Sequence, residues 1–119
     1  MNIYEVPAVI EDELPAVKAE LRQDCPAGNI HAAIQVLVKY TRNMIRLHNL
    51  PAVSKCMLLA DKLYTRGNNL VKNAVENVYV YAFSGMRSSC EGKEWQLIQA
   101  KMPVSLYSIY VRQIYRSGI

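Results

Sequence analysis

A chain of 119 residues with 14 Lys and Arg against 10 Asp and Glu suits one domain and is mildly basic, at a formal net charge of +4. A composition 51% hydrophobic and 20% charged excludes a disordered tail, and the apolar runs are too short and interrupted to cross a bilayer. Three widely spaced cysteines, Cys25, Cys56 and Cys90, without a Cys-x-x-Cys pair argue against a disulfide framework and a zinc module. With no basic leader before Glu5, Glu11 and Asp12, a cytoplasmic protein with reduced thiols is expected.

The first apolar face, Val6, Val9, Ile10 and Leu14, predicts a helix over about 4–13. Pro15 cannot continue it, and Val17 with Leu21 predicts a second, short helix over about 15–23. Glu11, Asp12, Glu13 and Glu20 make this end acidic. Residues 25–28, Cys-Pro-Ala-Gly, read as a turn.

Asn29 is placed to cap a long helix over 30–48, with Ile30, Ala33, Ile34, Leu37, Thr41, Met44 and Ile45 inward. Opposite them His31, Gln35, Lys39, Arg42 and Arg46 share a polar stripe. Three cations on one face read as a solvated surface or, as the sharper alternative, as an anion-binding strip for phosphate or an acidic partner. His31 reads as a surface residue and His48 as a C-terminal cap, and their separation excludes a shared metal.

The stretch 50–83 organises the rest, as two helices joined by Gly67-Asn68-Asn69. Val53, Cys56, Met57, Ala60 and Tyr64 form the inner face of the first, which Pro51 opens and Gly67 closes as a left-handed cap. The second places Leu70, Val71, Ala74, Val75, Val78, Tyr81 and Ala82 on one stripe, with Val80 and Phe83 opposite, and is expected to be buried all round at the centre of the domain. Residues 84–93 read as a loop. A short helix with Trp95, Ile98 and Met102 inward precedes Pro103, and the last helix turns Leu106, Tyr107, Tyr110, Val111 and Ile114 inward.

Eight tyrosines stand against one phenylalanine. Tyrosine suits places where one end of the ring is dry and the other wet, and with arginine it marks interface centres. Tyr107, Tyr110, Arg112, Tyr115 and Arg116 are therefore the candidate partner surface, and Lys39, Arg42 and Arg46 the candidate anion-binding face. Asn73 and Asn77 lie on an apolar helix and need partners for their amides, so a polar pocket of Tyr64, Asn73, Asn77 and Tyr79 is the third candidate. Asp61 and Glu76 are the carboxylates closest to the central turn, yet no nucleophile elbow, phosphate loop or dinucleotide fingerprint accompanies them, so neither enzyme nor cofactor is expected.

The run Ala60-Asp61-Lys62-Leu63-Tyr64, then Gly67-Asn68, Val71 and Asn73-Ala74-Val75-Glu76-Asn77-Val78-Tyr79, with Met102-Pro103, Ser105-Leu106-Tyr107 and Tyr110 beyond, resembles a group of small bacterial all-helical domains of uncharacterised function. The likeness covers roughly residues 29–119. Some members look like small helical proteins encoded near toxins, which implies an immunity- or antitoxin-like role and brings no functional residues with it.

The expectation is an all-α single domain, 1–119, of five or six helices packed as consecutive antiparallel hairpins. It is expected to be a non-enzymatic protein-binding module, with a protein partner or a second copy paired through the last helix. Nucleic-acid binding through Lys39, Arg42 and Arg46, helped by Arg112 and Arg116, is the alternative.

Overall fold

Proline and asparagine mark where the helices begin. The computed structural model describes residues 1–26 and 28–116; Ala27, within the expected turn, lies outside them. Helix α1 (Val6–Glu13) carries Pro7 in its first turn, where a missing N–H breaks no intrahelical bond. Pro15 opens a 3₁₀ turn (Pro15–Val17) that runs into α2 (Lys18–Asp24). Three inner segments are each started by an asparagine side chain. Asn29 accepts from Ala32 N–H at 3.0 Å before α3 (Ile30–Arg46), Asn49 from Ala52 at 3.2 Å before α4 (Leu50–Arg66), and Asn68 from Val71 at 3.1 Å before α5 (Asn69–Ala74). From α5 the backbone continues through a π-helical stretch (Val75–Val80), α6 (Tyr81–Gly85) and a 3₁₀ turn (Met86–Ser89); α7 (Gly92–Ala100) and α8 (Val104–Arg116) follow.

The described residues are all-helical. Counting α5 through α6 as one rod gives seven helical rods among the described residues, where five or six were expected. The radius of gyration, 13.6 Å, is what a single compact body of this length has, roughly 13.5 Å. α3 packs on α4 and on the π stretch, and the core gathers there: Ile34, Leu37, Ile45, Met57, Leu63, Val75 and Phe83 are fully buried.

Two cap geometries differ from expectation. Helix α3 stops at Arg46, two residues early, and His48 takes the left-handed conformation, φ 56°, that ends it. His48 N–H donates to the Ile45 carbonyl and Asn49 N–H to that of Met44, the paired bonds of a Schellman motif. Gly67, by contrast, is extended, φ −75° and ψ 155°. It must be glycine for space: a β-carbon there would lie 2.5 Å from the Leu63 carbonyl oxygen and from the Val71 side chain. The neighbouring Asn68 N–H donates to the Met1 carbonyl, and the Met1 ammonium to that of Arg66, tying the N-terminal segment to this turn.

The helical rod beyond Asn69 is not buried all round. A π turn takes in one residue more than an α turn, so apolar positions beyond it fall one residue later. The buried set is Val71, Ala74, Val75, Tyr79, Val80 and Phe83, while Leu70 and Tyr81 face outward. The segment expected as a loop is largely helical too, anchored by the fully buried Met86.

Candidate functional site

Helix α8 is apolar on two faces. Its inner face is Leu106, Ile109 and Tyr110, with Tyr110 only 4% exposed and its ring edge-on to Phe83 at 5.7 Å between centroids. Tyr110 is thus a core residue, as the inward face of the last helix predicted, and drops out of the candidate partner surface. On the far side Val104, Tyr107, Val111 and Tyr115 follow one another at three, four and four residues, which makes a single stripe. Val104 is 82% exposed, Tyr115 77% and Tyr107 45%, and Val111 is partly buried. Arg112 and Arg116 are exposed. A groove of about 430 Å³ adjoins this stripe, lined by Gln96, Gln99, Ala100, Met102, Val104 and Tyr107.

Sequence reading missed Val104 and counted Tyr107 and Val111 as inward. The seven-residue step from Val104 to Val111 was the available signal, but an amphipathic helix was assumed to have one apolar face. The last acidic side chain of the sequence is Glu94; beyond it the charged side chains are Lys101, Arg112 and Arg116.

Lys39, Arg42 and Arg46 do lie on the outside of α3, but not on a purely cationic face. Lys39 Nζ is 3.8 Å from Glu20 Oε2. Lys39 and Arg42 line a groove of about 440 Å³ with Glu20 and Asp24 from α2, over a floor that includes Ala32 and Val36. Arg46 is exposed beyond it.

The four residues of the expected polar pocket are dispersed. Asn73 and Asn77 are exposed, Tyr64 is partly buried with the Lys72 ammonium 5.5 Å above its ring, and Tyr79 is completely buried. The π stretch causes this, since it turns Tyr79 inward and leaves Asn77 outside. Asn77 instead lines a cleft of about 290 Å³ with Glu76, Tyr81, Gln113 and Arg116, where Gln113 Nε2 donates to the Glu76 carbonyl at 2.9 Å.

Inside, Thr41 Oγ1 donates to the Leu37 carbonyl at 2.8 Å, so the Tyr79 hydroxyl, 3.1 Å away, donates to Thr41. Burial pushes the Tyr79 hydroxyl far above the ordinary tyrosine range, and the neighbouring Cys56 thiol is pushed up by burial as well. The cluster is hydrogen-bonded and dry, the arrangement of a structural polar contact rather than of a reacting group.

At the start of α7, His48 Nδ1–H donates to Glu94 Oε2 at 2.7 Å, while Glu94 Oε1 is buried without a hydrogen-bond partner, as is Asp61 Oδ1. Burial raises the Asp61 pKa. Burial also raises the Cys25 and Cys90 thiols, and for Cys90 the Glu94 charge adds to it, so both are held away from the reactive thiolate. Among the described residues no three His, Cys, Asp or Glu side chains are placed to hold a metal ion, and no helix is long and apolar enough to cross a membrane.

A family model described as a domain of unknown function, DUF7674, matches residues 7–116. Neither curated proteins nor solved structures gave a match.

Proposed function

This chain belongs to the DUF7674 family, a domain of unknown function, and we propose that it is a non-enzymatic protein-binding module that presents the outward face of α8 to its partner. The observation that carries the reading is the second apolar stripe of that helix. Val104, Tyr107 and Tyr115 leave on the order of 400 Å² of side-chain surface in water, the size of the largest apolar patch on a typical monomer, which is often functional. Arginines beside exposed tyrosines give the patch the composition of an interface centre. An immunity or antitoxin role, implied by the resemblance of the central run, is one form such a module takes. Separate, unpaired cysteines support a cytoplasmic setting. Nucleic-acid binding through Lys39, Arg42 and Arg46 has less support, because Glu20 and Asp24 share the groove with two of those cations.

Photo-crosslinking tests the proposal. With a benzophenone amino acid at position 107 or 115 in cells of the native host, a discrete protein adduct is expected at both, and none from the exposed Tyr4 on the N-terminal segment. Adducts at neither position 107 nor position 115 would overturn it.

A further inference from the structure

We infer that the segment seated on α8 is an amphipathic helix whose apolar row is flanked by carboxylates; this deepens, and rests on, the protein-binding reading. The stripe from Val104 to Tyr115 covers three turns, about 16 Å at 1.5 Å per residue. Its steps of three and four residues mesh with the same steps on another helix, whereas a strand would offer side chains at every second residue.

Charge then selects the flanks. Lys101 stands at the N-terminal end of the stripe and Arg112 beside its C-terminal half, both exposed and neither in an ion pair among the described residues. Arg116 lies at the far end, exposed, and lines the cleft that also contains Glu76. With no acidic side chain among residues 95–119, α8 supplies no negatively charged side chain of its own, so a partner with carboxylates beside its apolar row finds complementary charge and one with lysines meets repulsion.

A second copy of this chain fits less well. Its acidic helices α1 and α2 have their apolar residues Val6, Ile10, Val17 and Leu21 buried in the core, so they have no free row to offer. Two α8 helices face to face, in either direction, bring together only cations, since neither carries an acidic side chain.

Three fluorescein-labelled helical peptides with leucines at positions i, i+3, i+7 and i+11, flanked by Glu, by Gln or by Lys, are titrated with the full chain and followed by fluorescence anisotropy. The Glu peptide is expected to bind about tenfold or more tightly than the Gln peptide, and the Lys peptide more weakly still, with the preference shrinking as salt rises. Arg112→Gln and Lys101→Gln should narrow the preference of Glu over Gln, and Tyr115→Asp should abolish binding with the circular dichroism spectrum unchanged.

Equal binding of the Glu and Gln peptides, or binding of none, overturns the inference. So does a wild-type dimer in sedimentation that Tyr115→Asp dissociates, since the stripe is then covered by a second copy. Displacement of the Glu peptide by duplex DNA at equal charge concentration overturns it in favour of a phosphate backbone. These failures leave the protein-binding reading to the crosslinking result, which does not depend on the partner's charge.

Discussion

His48 holds a backbone conformation that glycine adopts freely and that a residue with a β-carbon adopts at a cost of about 1–2 kcal/mol. His48→Gly and His48→Ala both lose the Glu94 contact, so the difference between them isolates the backbone. The glycine variant is expected to be the more stable by about 1 kcal/mol in urea unfolding. Tyr79 and Thr41 make a second pair of contrasting substitutions. Tyr79→Phe removes a hydroxyl and its bond together and should cost about 1 kcal/mol, whereas Thr41→Val strands the buried Tyr79 hydroxyl and should cost about 1–3 kcal/mol. The same burial fixes a pH dependence. Tyr79 and Cys56 keep their protons to higher pH in the folded protein than the values of about 10 and 8.5 at which the unfolded chain releases them. Stability is therefore independent of these two groups below about pH 8. Above that it falls as the unfolded chain ionises first, by about 1.4 kcal/mol per pH unit for each group concerned. Denaturation followed from pH 8 to 11 should show a shallower decline in Tyr79→Phe. The inward placement of Thr41 and Cys56 was legible from helical spacing. Their link to Tyr79 was not, because it joins residues 38 apart in sequence across two helices.

Helix starts were the most legible elements, since Asn29 stands before apolar periodicity and caps as expected. The π stretch was not, because no glycine or proline announces it and its effect, a one-residue shift of the inner face, shows only in what lies beyond it. That shift accounts for the misplaced Tyr79, Asn77 and Tyr81. It also sets where α8 docks, through the Gln113 bond to the Glu76 carbonyl. Gln113→Ala should lower stability by about 1 kcal/mol and reduce hydrogen-exchange protection in α8 more than in α3. Gly67 is the tightest joint between elements. Gly67→Ala should cost about 1–3 kcal/mol although its φ suits any residue, since the added carbon meets the Leu63 carbonyl and Val71.

Across the whole molecule the two faces of α8 divide labour between holding the fold and meeting the solvent. Tyr110→Ala should cost about 3–5 kcal/mol, as removal of a core ring does, whereas Tyr115→Ser should stay within about 0.5 kcal/mol of wild type in the same unfolding experiment. Residue type put both tyrosines on one candidate surface, although helical spacing turned Tyr110 inward and not Tyr115; the packing of Phe83 against Tyr110 agrees with the spacing. Phe83 has a second aromatic neighbour, Trp95, with ring centroids 4.8 Å apart. Trp95 is the lone tryptophan of the chain, and its ring packs on Phe83 of α6, which in turn meets Tyr110 of α8. Its emission is therefore a local optical reporter. A red shift on mild heating that precedes the loss of far-ultraviolet ellipticity would time the release of the C-terminal helices separately from the melting of the rest, with no label attached.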